Sequence, residues 1–444
     1  MGERHFGITL VFLAMVVLTW GTAEATIRKV PRDLATIQAG IAAALDGDTV
    51  LVAPGTYYEN INFLGKAITV RSEQGPALTI IDGRLADVVA RFVSHETASS
   101  VLSGFTLTHG LGAAIEINTA SPTVSGNVLS DNFVCGMPGP GSIQISFGAP
   151  VIESNVLINS NWCDSLEAGG GISITGGDGT SGARILRNVI ANHFARGISI
   201  NSGGKMTIQD NAIIGNGFSL QGDGGGIEIG NYSDVAIINN VIVGNSARRG
   251  GGIAFLVPSG TRGPILVNNT IANNDSAEGS GVFADGFDAQ ALLVNNIIVA
   301  KTGQTAIYCG DFTKIDAPII QFNDVFAPSG SAYGGNCTDQ SGLNGNISKV
   351  PGFANPSAGD YRLLADSPAI NAGTNAAPQL PRTDKDGGPR IMGGVVDMGA
   401  FEFPLPSEAK PVPTLSDRGF ILLAALLALV AIIVLARRSK MAAQ

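Results

Sequence analysis

Ile237-Ile-Asn-Asn240-Val-Ile242 recurs as Leu266-Val-Asn-Asn269-Thr-Ile271 and as Leu293-Val-Asn-Asn296-Ile-Ile298. Looser copies stand upstream at Val124-Ser-Gly-Asn127-Val-Leu, Ile152-Glu-Ser-Asn155-Val-Leu, Ile185-Leu-Arg-Asn188-Val-Ile and Ile208-Gln-Asp-Asn211-Ala-Ile. From Asn127 to Asn296 the separations are 28, 33, 23, 29, 29 and 27, and Asn323 follows after another 27. A second motif interleaves with the first, two glycines followed by apolar-x-apolar. It occurs at Gly170-Gly-Ile172-Ser-Ile174, Gly225-Gly-Ile227-Glu-Ile229 and Gly251-Gly-Ile253-Ala-Phe255, with variants at Arg196-Gly-Ile198-Ser-Ile200 and Ser280-Gly-Val282-Phe-Ala284.

Each repeat therefore consists of short strands of period two, broken by Gly and Asn turns. A period in the twenties or low thirties, with strands and no helix, is the signature of a solenoid. There is no Leu-x-x-Leu-x-Leu frame for a leucine-rich repeat, and a propeller blade has a longer period. What remains is a coil of parallel strands in which each repeat climbs one strand spacing, about 4.8 Å. The Asn column at Asn127, Asn155, Asn188, Asn211, Asn240, Asn269, Asn296 and Asn323 then has a structural purpose. An inward amide at a corner bonds the amides one coil above and below, satisfying polar groups that would otherwise be buried unpaired.

The cysteines follow the same offset. Cys135 and Cys163 are 28 apart, as are Cys309 and Cys337. One coil of offset places each pair on neighbouring rungs, within the roughly 4.4–6.8 Å Cα range of disulfides. The expectation is two bridges, Cys135–Cys163 and Cys309–Cys337, in an oxidising compartment. Zinc is the alternative for these thiols, but no close Cys or His spacing supports it.

Bulk composition agrees. Charged residues make up 14% of the 444 residues and glycines number 59, against about 25% charged residues in an ordinary globular protein. Such a chain must bury its Val, Ile and Leu, and cannot be a solvated tail. A net charge of −9 argues against nucleic acid, whose binding needs basic patches.

The ends point outward from the cell. Arg4 and His5, an apolar run over 8–20 and Ala23-Glu-Ala25 read as a signal peptide, residues 1–25. A second apolar run, 420–436, precedes Arg437, Arg438 and Lys440. It is expected to form a C-terminal transmembrane helix with its basic end in the cytoplasm. Val412-Pro-Thr-Leu-Ser-Asp-Arg-Gly419 stands just before it. Motif, helix and basic end together resemble the IPTL-CTERM sorting signals of Gram-negative bacteria. The match departs at Val412, usually Ile, and at Arg418, usually Trp. The resemblance implies a membrane sorting enzyme as partner and a body exported to the cell surface or outer envelope, membrane-anchored before sorting.

Asp33 is expected to cap a helix over 33–45, with Leu34, Ile37, Ile41 and Leu45 on one face, plugging the N-terminal end of the coil. The first strands follow at Asp48–Ala53, Ala67–Arg71 and Leu78–Gly83. This stretch, with Gly47-Asp48, Pro54-Gly-Thr-Tyr57 and Ile81-Asp-Gly83, resembles the start of right-handed parallel β-helix proteins of the pectin-lyase-like superfamily. Ser367-Pro-Ala-Ile-Asn-Ala-Gly373, Asp384-Lys-Asp-Gly387 and Val396-Asp-Met-Gly-Ala-Phe-Glu402 are similar to the ending of such exported proteins. The fold expected is thus all-β: a right-handed parallel β-helix over 26–345, a C-terminal cap over 346–404, a linker over 405–412, and sorting motif, membrane helix and basic tail over 413–440. Asp384, Asp386 and Arg390 read as turn and cap residues.

The resemblance specifies fold and leaves activity open, because one fold hosts many activities. Enzymes of that superfamily cleave acidic polysaccharides by elimination with calcium and a base, or hydrolyse glycosides with paired carboxylates. The polygalacturonase marks Asn-Thr-Asp, Asp-Asp, Gly-His-Gly and Arg-Ile-Lys are absent; His109-Gly110 follows Thr108 and does not qualify. Gly177-Asp-Gly-Thr-Ser-Gly182 leads into Arg184-Ile-Leu-Arg, a strand, so it is a loop and no nucleotide site.

Registering the repeats on the Gly-Gly strand brings Glu167, His193, Asp223, Arg248, Arg249 and Glu278 onto one turn edge, with Arg196 and the outward Glu228 nearby. The functional reading makes Glu167, His193, Asp223, Arg249 and Glu278 catalytic and Arg196, Glu228 and Arg248 binding residues of an oligosaccharide groove with an acid and a base. Oxygen ligands there would suit calcium, although no cofactor or metal cluster stands out. The bland reading is a solvated edge whose alternating charges aid solubility. The chain is thus an exported polysaccharide-binding or -processing protein, a lyase or glycoside hydrolase if an enzyme, or else a non-catalytic adhesin, matrix element or spacer.

Overall fold

The computed structural model describes residues 24–134, 141–162, 170–176, 182–201, 204–217, 222–230, 234–256, 264–285, 292–310 and 317–404. Three parallel sheets of 12, 11 and 11 strands run the length of the body. One coil shows the plan. Asp234–Ile238 lies in sheet A, Val241–Val243 in sheet B and Ile253–Leu256 in sheet C. In the following coil Ile237 pairs with Leu266, Ile242 with Ile271 and Ile253 with Val282.

Alternation decides what goes inside. Alternate residues of the strands in sheets A and B point inward, so Ile237, Ile242, Leu266 and Ile271 join one buried core with Ile227, Ile229 and Phe255 of sheet C. Full burial of each such side chain contributes about 1.5–3 kcal/mol.

The corner between sheets A and B is built on asparagine. Asn239, Asn268 and Asn295 adopt left-handed backbone, with φ of 55°, 54° and 57°, a conformation Asn tolerates better than most residues. The chain thereby turns sharply, and the next residue aims its amide inward. Asn240 Nδ2 donates to Ile208 O at 2.8 Å and to Asn269 Oδ1 at 3.0 Å. That same Oδ1 accepts from the Asn240 backbone N–H at 2.9 Å. The same bonding links Asn127, Asn155, Asn188, Asn211, Asn269, Asn296 and Asn323, and Asn346 extends it by one rung.

A second ladder, unexpected from the sequence reading, lines the corner between sheets B and C. Asn216, Asn245 and Asn274 are fully buried. Asn216 Nδ2 donates to Asn245 Oδ1, and Asn245 Nδ2 to Asn274 Oδ1, both at 2.9 Å.

The helix α1 spans Ile37–Ala43, shorter than expected, and its N-cap is Thr36 rather than Asp33. Thr36 Oγ1 accepts from Ala39 N at 3.1 Å. The Asp33 carboxylate instead accepts from Lys29 N at 2.9 Å and pairs with Arg32. Ile37 and Ile41 are buried, Leu34 packs on the core from the side, and Leu45 is exposed. A strand the reading missed, Ile27–Val30, precedes the helix and starts sheet A by pairing with Thr49–Val52.

The segment 346–404 leaves the last coil and runs back along the corner between sheets A and B. The left-handed asparagines hold it: Asn239 Nδ2 donates to Thr383 O at 2.8 Å, Asn268 Nδ2 to Asp397 O at 2.9 Å and Asn295 Nδ2 to Thr374 O at 2.9 Å. Arg390 is fully buried and pairs with Glu402, Nη2 to Oε1 at 2.6 Å. Tyr361 and Phe401 cover the outward side chains Val241, Val243 and Ala272.

Cys309 and Cys337 form a disulfide with Cα atoms 5.1 Å apart. Cys135, Cys163, residues 1–23 of the expected signal peptide and the expected membrane helix lie outside the described residues, as do 177–181 of the glycine loop. Among the described residues no helix is long and apolar enough to cross a membrane.

Candidate functional site

The middle residue of each sheet C motif points outward. Parallel register lines these residues into one column: Arg91, Glu116, Gln144, Ser173, Ser199, Glu228, Ala254, Phe283 and Tyr308. From Arg91 to Glu228 the column climbs five strand spacings, about 24 Å. Beside it runs a second polar column, Asn118, Ser146, Thr175 and Asn201. Ser146 and Thr175 hydroxyls lie 3.0 Å apart, and the half-exposed Phe147 flanks them.

Charged clusters close both ends of this polar strip. At the lower end the Arg91 guanidinium grips Asp87 and donates from Nε to Glu116 Oε2 at 2.8 Å. At the upper end stands most of the expected turn edge. Arg196 Nε lies 2.9 Å from Glu228 Oε2 and 2.8 Å from the Asp223 carbonyl oxygen, to which it donates. The Ser199 hydroxyl donates to Glu228 Oε2 at 3.1 Å. The Arg196 guanidinium passes close to Gly222, where a Cβ would stand 3.0 Å from Nη2.

Asp223, Arg249 and Glu278 are successive bridge partners in adjacent coils. Arg249 holds Asp223 with two bonds, Nε to Oδ1 at 3.1 Å and Nη2 to Oδ2 at 2.7 Å, and Arg248 adds a third at 3.2 Å. Burial pushes the Asp223 carboxyl up, but its bonds to and charge attraction from both arginines outweigh this and hold it below the usual range. Arg249 also lies over the Phe283 ring, 4.5 Å from its centroid, and Phe283 stacks with Tyr308 at 6.1 Å.

The structure thus brings together Asp223, Arg249, Glu278, Arg196, Glu228 and Arg248. It does not bring His193. That ring is fully buried and occupies a rung of the second ladder. Its Nε2 lies 3.1 Å from Leu157 O, its Nδ1 lies 2.7 Å from Ser160 Oγ, and its backbone N–H donates to Asn216 Oδ1 at 3.1 Å. Burial drops its pKa to about 4, so it is neutral and enclosed. Counting back from the glycines placed His193 on the edge; counting forward from Asn188 would have placed it in the ladder, since 188 to 193, 211 to 216, 240 to 245 and 269 to 274 share one offset of five. Glu167 lies outside the described residues. The reading also missed Gln144, Ser173, Ser199, Phe283 and Tyr308, although the middle position of each motif was their signal. Among the described residues no three His, Cys, Asp or Glu side chains cluster to hold a metal.

Residues 114–298 and 170–347 match the family described as "Right handed beta helix region". This chain belongs to that right-handed β-helix family. The C-terminal residues 410–438 of this β-helix protein match the IPTL-CTERM motif. Its fold is similar to the crystal structure of the pectate lyase Pel9A, with a TM-score of 0.53 and 16% identity over 83% of this chain and 91% of that one. It is less similar to XylC in complex with xylose, with a TM-score of 0.46 and 10% identity over 83% and 95% of the two chains. For the PL6 family alginate lyase AlyGC the TM-score is 0.42, at 16% identity over 73% and 51%. At these identities the likeness is one of fold alone. No protein of curated function matches the sequence.

Proposed function

We propose that this β-helix protein is exported, displayed at the cell surface, and binds an extracellular polysaccharide along the outward face of sheet C. The carrying observation is the continuous column from Arg91 to Glu228, ended by the arginine–carboxylate–aromatic cluster at Arg249 and Phe283. Hydroxyl and amide side chains in a row suit sugar hydroxyls, and Phe147 and Tyr308 offer faces against which a pyranose ring can stack. The sorting motif and the disulfide support export.

Binding fits the upper cluster better than cleavage. A general acid or base must be able to exchange a proton with substrate, whereas Asp223 is enclosed by two arginines. Arg249, Arg248 and Glu278 then serve as glycan contacts, with Asp223 holding Arg249 in place. Because Arg196 and Arg249 already neutralise these carboxylates, retention should not depend on calcium.

A glycan array decides the matter, with reducing-sugar and unsaturated-uronate assays on every bound glycan and parallel runs in calcium and in EDTA. Ser199→Trp, which blocks the middle of the column, and Arg249→Ala should each weaken binding at least tenfold. Wild-type protein that retains no glycan would remove the reading.

A further inference from the structure

At the lower end of the same turn edge, outside the column, His109 and Asp82 meet across adjacent coils. His109 Nδ1 lies 3.0 Å from Asp82 Oδ2. A carboxylate only accepts, so Nδ1 carries the hydrogen, and the neutral form of the ring has its lone pair on Nε2. The imidazole is 47% exposed, and among the described residues nothing bonds Nε2. The other Asp82 oxygen accepts from Arg84 N at 2.8 Å, so the carboxylate is fixed in both directions.

Three non-glycine residues here hold left-handed backbone: Arg84 at φ 52°, Leu85 at φ 54° and His109 at φ 53°. Arg84 and Leu85 in succession are costly, about 1–2 kcal/mol each, whereas the His109 conformation is the corner that Asp131, Asn159 and Asn192 repeat coil by coil. Leu85 N donates to His109 O at 2.7 Å. Gly83 permits that approach, since a Cβ there would stand 2.9 Å from the same oxygen. The strained turn sends the Arg84 guanidinium over the exposed Tyr58 ring, 3.8 Å from its centroid. Among the described residues no carboxylate pairs with that guanidinium. The nearby acids are engaged elsewhere: Asp87 and Glu116 by Arg91, and Glu59 by Ile37 N and Gln38 N.

We propose that Asp82, His109 and Arg84 form a hydrolytic site that removes acyl esters from sugar hydroxyls. Its place beside the lower end of the sheet C column rests on the glycan-binding reading; its chemistry does not. His109 Nε2 takes a proton from water as the water oxygen bonds to the acyl carbon. The carbonyl electron pair moves onto its oxygen, where the Arg84 guanidinium, swung from its place over the Tyr58 ring, stabilises the charge. The carbonyl re-forms, the bond to the sugar oxygen breaks, and that oxygen takes the proton from Nε2. Ester and water become carboxylic acid and free hydroxyl, and no further reactant is consumed. Asp82 is a positioning residue that holds the tautomer and stabilises the imidazolium.

The test measures acetate released from O-acetylated xylan, pectin and alginate oligosaccharides, and from 4-nitrophenyl acetate, by the full-length protein. His109→Asn, chosen because Asn accepts left-handed backbone, should lower kcat/KM about a hundredfold or more. Asp82→Asn should lower kcat more than it raises KM, and Arg84→Ala should lower kcat. Release by wild type no faster than by His109→Asn, on both the oligosaccharides and the small ester, overturns the site. Hydrolysis of the small ester by a protein that retains no glycan would sink only the binding reading.

Discussion

Asn240 and Asn269 are 29 positions apart in the chain, yet the Nδ2 of one lies 3.0 Å from the Oδ1 of the other inside the protein. Asn240 also accepts from Asn211 N at 2.9 Å and donates to Ile208 O at 2.8 Å. Asn240→Leu, of similar size, would leave an N–H and a carbonyl buried without partners. Each costs about 1–3 kcal/mol, so stability in urea should fall by roughly 2–6 kcal/mol, with hydrogen exchange accelerated first at residue 211. An unchanged denaturation midpoint would refute the ladder's role.

His193 makes the body acid-sensitive at one identifiable point. Its folded pKa, about 4, lies below the ordinary 6.5, so the unfolded chain binds the proton more readily. The stability it supports is complete above about pH 6.5 and is lost as pH falls toward 4. The gap corresponds to about 3 kcal/mol. His193→Asn, copying Asn216 one coil on, should flatten stability between those pH values while leaving it within about 1 kcal/mol at pH 7. Thermal melts across that range measure it.

Arg390 tests how the C-terminal segment is held. It bonds Glu402, Asn239 Oδ1 and the carbonyls of Ala400 and Gly399. Arg390→Met strands a buried carboxylate, at about 3–5 kcal/mol. Limited proteolysis should then cut within 346–404 while the coils stay intact. Adding Glu402→Gln should recover part of the loss, a coupling that a double-mutant cycle reads directly.

The Cys309–Cys337 disulfide closes a loop of sequence separation 28. On the loop-entropy account its removal costs about 3.6 kcal/mol. Because a solenoid frays from its ends, Cys309→Ala/Cys337→Ala should speed hydrogen exchange in Ser331–Gly335 and leave Ile237 and its neighbours protected.

Much of the architecture was readable from spacing alone. A parallel coil converts an offset of one repeat into adjacency, so the Asn column and the Cys309–Cys337 pair followed from counting. Helix capping was less legible: Asp33 and Thr36 are both good caps, and the Lys29 backbone claims Asp33 for its own turn. His193 resisted because the same residue type suits a proton-transfer edge or a buried rung, and its register was counted from the wrong side. The Asp82–His109 contact had its offset of 27, one coil, as its signal, but neither residue stands in the Asn or Gly-Gly motif from which the coils were counted.

Residue order fixed the strands, the inward columns and the partners one coil away, because alternation and period are local properties that stacking merely repeats. Which outward face stays open is another matter. Arg390 reaches Asn239 across 151 positions, and the segment carrying it covers part of sheets A and B. That long-range docking has no periodic trace, and among the described residues it falls on sheets A and B and not on the sheet C column.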